Sequence, residues 1–214
     1  MDKNGAGPRY AAERNMMFGS IRKKIEKIID GLPDGAVFVP TDFSDVAAPA
    51  TASKTLVRLH SSGSVGKLMR GVFWKGRNRE PAPDEVARAL ARSNNWQAAP
   101  CGDTALHVAG FSISIPQVWT YITDGTYRVY KYGKTVIEFR HASGKFLAKM
   151  SDKTATLIQV IKAFGKEKMT DEFLRNIASK FKKEEILQFF SESCNTTDWI
   201  HSAIGRMLTL KEGA

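Results

Sequence analysis

The chain has 214 residues, 43% of them hydrophobic, which is enough for two small domains that each bury a core. Its formal net charge is +10, and no stretch approaches the roughly 20 apolar residues of a membrane span, so a membrane protein is excluded. Met1 to Met17 holds no apolar signal core, which makes the cytoplasm the expected location. Cys101 and Cys194 stand alone, with no C-x-x-C pair, so neither a disulfide framework nor a zinc site is expected and both read as core thiols.

The first sixteen residues are small and polar and read as a flexible segment, with Arg9 and Arg14 as a possible DNA-contacting arm. Phe18, Ile21, Ile25, Ile28 and Ile29 then repeat at helical spacing, with Arg22, Lys23 and Lys27 on the outer side. A turn-rich Gly31-Leu32-Pro33-Asp34-Gly35 leads into the apolar run Ala36 to Val39, read as a strand. Thr41-Asp42-Phe43-Ser44-Asp45 supplies N-cap residues for a short scaffold helix. Pro49 sits at or near the first position of a second helix running to Ser62, which Gly63 ends.

On that second helix Ala52, Leu56 and Leu59 fall on one side, and Thr51, Lys54, Arg58 and Ser61 fall opposite. One face packs and the other is free to enter a groove. Val65 to Leu68 and Val72 to Trp74 flank Met69-Arg70-Gly71 and read as a hairpin with a basic tip. Helix, strand, two helices and hairpin, in that order, predict a winged helix-turn-helix over residues 17–79. Thr51, Lys54, Arg58 and Ser61 on the recognition helix, with Lys67 and Arg70 on the wing, are the expected DNA contacts. Charge points the same way: up to Arg79 there are 14 Lys/Arg against 7 Asp/Glu, and from Glu80 onward 18 against 15.

Lys75 to Pro83 has the charged, Gly/Pro-containing composition of a linker, so the second domain is expected to span 80–214. Pro83-Asp84 opens a helix carrying Val86, Leu90 and Ala91, and a short helix is expected near Asp103 to Ala109. Val118 to Thr123, Thr126 to Lys131 and Lys134 to His141 read as three strands of an antiparallel sheet over 118–141. Asp124-Gly125 and Tyr132-Gly133 are the expected hairpin turns. From Lys153 to about residue 210 four helical stripes follow, with Gly165 and Thr170 as stop and start between the first two. The whole is an α+β chain: a winged helix-turn-helix, a mixed domain with a small antiparallel sheet, and a C-terminal helical bundle.

No catalytic constellation is found. There is no Asp-x-Asp pair to hold Mg²⁺ against a triphosphate, and Gly63-Ser64-Val65-Gly66-Lys67 lacks the first glycine of a phosphate-binding loop. His60, His107, His141 and His201 are never at helical ligand spacing, so no metal and no cofactor is expected. Tyr121, Tyr127, Tyr130 and Tyr132 with Arg128, Lys131, Lys134 and Arg140 offer an alternative, a basic aromatic sheet that stacks RNA bases.

Leu56-Val57-Arg58-Leu59, Gly63 and Arg70-Gly71-Val72-Phe73 resemble the winged-helix signature of the AbiEi-type antitoxins. These are the repressor partners in type IV abortive-infection toxin-antitoxin systems. The run Pro83 to Arg92, Ala105-Leu106, Gly110-Phe111-Ser112, Ile115-Pro116, Tyr121 to Gly125 and Ile137 to His141 is similar to that family's central block. The resemblance covers about residues 17 to 210 and implies a two-part protein that is not an enzyme. Its N-terminal domain would bind an inverted-repeat operator in duplex DNA and repress its own operon. The remainder would counter a nucleotidyltransferase toxin without a stable complex. Lys54-Thr55-Leu56-Val57 departs from relatives richer in arginine and alanine at this point, which leaves the operator sequence open. The alternative is a stand-alone winged-helix regulator, or an RNA-binding module, with no toxin partner.

Overall fold

A computed structural model describes residues 8–76, 80–142, 147 and 150–212. The chain divides into two compact units, Met1–Ser93 and Asn94–Ala214, both mixing helix and strand. Among the described residues there are eight α-helices and seven strands.

The first unit opens with α1 (Pro8–Gly31), so the helix begins well before Met17; Met1 to Gly7 and the Arg9, Arg14 and Phe18 side chains lie outside the described residues. Ile25 and Ile29 are buried and Ile21 packs against them, whereas Ile28 turns outward. β1 (Val37–Phe38) follows. The expected scaffold helix is a single 3₁₀ turn, Pro40–Phe43. Asp42 accepts the Val39 N–H at 3.0 Å and Phe43 meets Phe38 edge-on at 5.8 Å, so one turn suffices to close the core here. α2 (Pro49–Ser61) has its proline at the first turn, and β2 (Gly66–Met69) and β3 (Val72–Trp74) make the hairpin. These strands form an antiparallel sheet in the order β1-β3-β2.

The core of this unit joins Ile25, Ile29, Phe38, Phe43, Ala52, Leu56, Leu59, Val65 and Phe73, so α1, α2 and the sheet share one apolar interior. Two local features set the hairpin. A Cβ at Gly66 would overlap the Trp74 indole, so the ring lies flat across β2 only because that position has no side chain. Lys75 Nζ donates to the Asp30 and Leu32 carbonyls at 2.8 and 2.6 Å, fastening the end of β3 to the C-terminus of α1 with a cation where the helix dipole favours one.

The domain boundary expected at Arg79 is displaced. α3 (Pro83–Ser93) belongs to the first unit, where it packs against β1, the 3₁₀ turn and β3. Val86, Ala87, Ala89, Leu90 and Ala91 are buried, and the Arg92 guanidinium grips Asp42 at 3.1 and 3.2 Å while donating to the Val37 carbonyl at 3.3 Å. The linker-like composition before Pro83 therefore falls inside one unit, and of its described residues Glu80 and Ala82 are exposed while Pro81 is buried. Charge, glycine and proline mark exposed backbone equally well in either setting.

The second unit carries the sheet and the bundle. β4 (Ala98–Pro100), β5 (Val118–Thr123), β6 (Arg128–Tyr132) and β7 (Thr135–His141) lie in the order β4-β5-β7-β6. The expected all-antiparallel sheet is corrected: β5 and β7 pair in parallel, and β5 does not pair with β6 at all. The β6–β7 hairpin forms as expected, but its turn is Gly133-Lys134, one residue on from the expected Tyr132-Gly133, because Tyr132 still pairs with Thr135; Asp124-Gly125 is not a hairpin turn. Asp124 instead accepts the Gln97 N–H at 2.9 Å and Thr123 Oγ1 donates to the Gln97 carbonyl at 2.8 Å, tying the end of β5 back towards β4. Gly125 lies under Trp96, where a Cβ would overlap the ring. Its glycine serves a close approach, not a tight turn.

The short α4 (Asp103–Val108) follows β4, and its buried Thr104 hydroxyl accepts the Thr120 N–H at 2.8 Å. Then come α5 (Asp152–Phe164), α6 (Asp171–Ser179), α7 (Lys183–Glu192) and α8 (Asp198–Glu212), the four helices expected from the apolar stripes. Thr170 caps α6 through the Phe173 N–H, and Gly165 ends α5. Leu157, Ile158, Ile161, Leu174, Ile177, Ile186, Phe189, Ile200, Ile204 and Met207 form their common core. Of the two cysteines, Cys194 is exposed rather than buried, and burial pushes the half-buried Cys101 thiol up to about 11.

One carboxylate links two bundle helices. Glu192, at the end of α7, accepts from the Ser151 N–H and hydroxyl, both at 2.8 Å, from Gln188 at 2.7 Å and from Thr154. Desolvation works against its ionised form, but the bonds from Thr154, Gln188 and Ser151 outweigh it and hold the carboxyl down to about 2 from an ordinary 4.5. A depressed folded value means that ionised Glu192 stabilises the bundle above about pH 4.5 and that this contribution is lost as the pH falls towards 2. Glu192→Gln is expected to lower the melting temperature at pH 7 by several degrees and to flatten its decline across that acid window. Melts from pH 7 to pH 2 check it, and a variant with the wild-type decline would show that Glu192 does not govern it.

Candidate nucleic-acid interface

The six expected contacts all lie in the first unit on α2, β2 and the hairpin tip, but they are not equivalent. On α2, Ala52, Thr55, Leu56 and Leu59 are buried, and at 100° per residue their mean direction defines the packed side. Ser61 falls within about 10° of the opposite pole and Lys54 within about 30°, whereas Arg58 lies about 70° and Thr51 about 90° away. Lys54, Arg58 and Ser61 are exposed and Thr51 is half-buried. Thr51 thus sits on the flank, with its carbonyl accepting the Thr55 hydroxyl at 3.0 Å. Ser61 donates its own proton to the Val57 carbonyl at 3.1 Å and must break that bond to donate elsewhere. Among the six, Lys54 and Arg58 are the two free-reaching cations of the helix.

Lys67 is exposed on β2, opposite Phe73, and a register shift between Lys67 and Met69 kinks the strand just before the tip. Arg70 is exposed in the two-residue connection Arg70-Gly71. His60 Nδ1 donates to the Val65 carbonyl at 3.2 Å, pinning the end of α2 to the start of the hairpin. The helix and the hairpin are therefore held to each other by a direct bond as well as by the core.

The charge carried by this stretch of chain is one-sided, although Glu80 lines a cavity beside Lys67 at the hairpin. Residues 46–79 contain seven Lys/Arg and no Asp or Glu, which an overall count of the N-terminal half conceals. Lys75 turns one of those charges inward onto α1, and Arg77 and Arg79 lie outside the described residues. Lys54, Arg58, Lys67 and Arg70 remain, all exposed, on α2 and the hairpin with no carboxylate of that segment to neutralise them. The unit to Ser93 carries 16 Lys/Arg against 10 Asp/Glu, its acidic residues lying outside 46–79. What the sequence reading missed was Val57, 44% exposed and within about 30° of the outward pole of α2. The same helical projection that selected Lys54 would have found it.

The aromatic sheet of the second unit does not offer a stacking platform. Tyr121 and Tyr132 are 2% and 8% exposed, and Tyr130 packs edge-on against Phe139 at 5.9 Å with its hydroxyl bonded to Asn94 and Arg128. Of the four tyrosines only Tyr127 is open. The faces needed for base stacking are already used by the sheet's own packing.

Among the described residues no group of three His, Cys, Asp or Glu side chains is placed to hold a metal ion. Ser193 and His201 are hydrogen-bonded at 2.9 Å, but the Ser193 side chain is fully buried and His201 is stacked on Phe190 at 4.3 Å, so the pair fastens α8 to the turn before it. No described helix is long and apolar enough to cross a membrane.

Fold and surface together define a two-unit α+β protein with a carboxylate-free basic helix and hairpin. Residues 24–189 match the model of DUF6088, a family of unknown function, and the chain belongs to that family. The match runs from α1 into α7 and so covers most of both units. No curated protein matches the chain.

Proposed function

We propose that the first unit is a winged helix-turn-helix that binds duplex DNA, and that the protein is an autorepressing antitoxin of the AbiEi type. The observation that carries the DNA reading is the combination of chain order and charge. Helix, strand, 3₁₀ turn, helix and hairpin, closed by a β1-β3-β2 sheet, is the arrangement in which α2 serves as recognition helix and β2–β3 as wing. That same helix and hairpin lie in the one segment rich in Lys/Arg and free of carboxylates.

In this reading α2 enters the major groove with Lys54 and Ser61 towards its floor. Arg58 on the flank and Lys67 and Arg70 on the wing meet phosphates at its rim. The proline at the start of α2 and the indole across Gly66 fix the helix and the hairpin before DNA arrives, so little ordering is needed on binding. Operon repression and antagonism of a nucleotidyltransferase toxin rest on the resemblance of the central block. The second unit, outside the basic segment, is assigned the antagonism.

The test is a mobility-shift titration of the full chain on mixed-sequence duplex DNA. The three phosphate contacts of Arg58, Lys67 and Arg70 predict a slope of about −2.7 in log K against log salt, or roughly a 40-fold loss of affinity between 50 and 200 mM. A folded protein that binds no duplex at 50 mM salt overturns the DNA reading.

A further inference from the structure

Val57 is the anomaly of the exposed face of α2. It is 44% exposed, near the outward pole, with Lys54 one turn before it and Ser61 one turn after. The positions that line the opposite side, Ala52, Thr55, Leu56 and Leu59, are buried, so Val57 has no core to enter. A β-branched side chain on a helix is held in essentially one rotamer, and its two methyl groups are therefore presented in a fixed direction. An apolar group in that position cannot donate to or accept from a base edge. It can discriminate only by contact with the one apolar feature of the major groove, the C5-methyl of thymine.

We infer that Val57 is a specificity-determining residue that reads a thymine methyl group in the major groove, between the polar contacts of Lys54 and Ser61. The inference rests on the DNA-binding reading of α2 and adds to it the base that the helix selects. Arg58, well to the flank, positions the helix and does not make this choice. The Ser61 hydroxyl donates to the Val57 carbonyl and so meets the groove as an acceptor, which adds a polar contact beside the methyl contact of Val57.

The experiment uses the full chain and a duplex selected by it from a random pool. Each thymine of the selected duplex is replaced in turn by 2′-deoxyuridine, which removes the methyl and nothing else. For the wild type at least one replacement is expected to weaken binding about threefold to tenfold, the scale of one buried methyl group. Val57→Ala is expected to weaken binding to the thymine duplex by a similar factor and to be indifferent to that same replacement. Because Val57 is outside the core, the variant should melt with the wild type, and a matched melt keeps loss of fold apart from loss of contact. Wild-type binding that ignores every thymine replacement overturns the inference, as does a Val57→Ala protein equally sensitive to them. A pool that yields no bound duplex at low salt overturns the DNA reading, and the inference with it.

Discussion

A chain ending at Arg79 is expected to lose cooperative unfolding, while one ending at Ser93 should keep it. The difference is α3, which covers β1, the 3₁₀ turn and β3. Burying Val86 and Leu90 is worth about 1.5–3 kcal/mol each, so its removal costs roughly 3–6 kcal/mol before the surface it uncovers is counted. A small domain holds only about 5–15 kcal/mol in total. The exposed Arg92–Asp42 pair adds little to this, on the order of 1 kcal/mol or less, because both charges keep much of their water. Two point variants of the full chain separate these terms. Leu90→Ala should cost about 2–5 kcal/mol and Arg92→Ala no more than about 1 kcal/mol. Thermal melts followed by circular dichroism read all of this. A 1–79 chain that melts as sharply as 1–93, within a few degrees, would place the boundary back at Arg79.

The second large effect is expected from replacing Lys54, Arg58, Lys67 and Arg70 together with alanine. All four are exposed, so the melting temperature should barely move. Affinity for any duplex at 50 mM salt should fall by about 10²-fold or more, and the salt slope should shrink by about 2.7, because each of the three lost phosphate contacts removes about 0.9 from it. The part of the loss due to Arg58, Lys67 and Arg70 should be nearly uniform across sequences, unlike that of Val57→Ala. In cells the variant should fail to repress a reporter placed under its own promoter. Under the proposed antitoxin role it should still protect against a nucleotidyltransferase toxin, since that activity is proposed for the second unit. Unchanged DNA affinity would move the interface off α2 and the hairpin. Loss of protection along with repression would show that the basic face serves both activities.

What the sequence by itself determined is whatever depends on residues three or four positions apart or on a single local turn. The two faces of α2 follow from helical period, which is why Lys54 and Arg58 were found exposed and Leu56 and Leu59 buried. The four C-terminal helices and their caps at Thr170 and Gly165 follow from the same arithmetic. The hairpin around Arg70-Gly71 and the β6–β7 hairpin, turning at Gly133-Lys134, are equally local.

The tertiary structure alone decided which elements meet. An amphipathic stripe such as Val86, Ala87, Leu90 and Ala91 demands a cover but does not name one, and only the fold shows that α3 stays with the first unit. Strand pairing is likewise a choice among distant partners: β5 and β7 lie side by side with β6 beyond them, although the dipeptide Asp124-Gly125 has the form of a hairpin turn. There the missing Cβ of Gly125 makes room for Trp96, and a local turn signal yields to a contact made across the sheet. The tyrosines show the same limit. Their spacing could serve either an open stacking surface or a packed one, and the Phe139 ring, reached by Trp96, Tyr121 and Tyr130 from three directions, decided for packing.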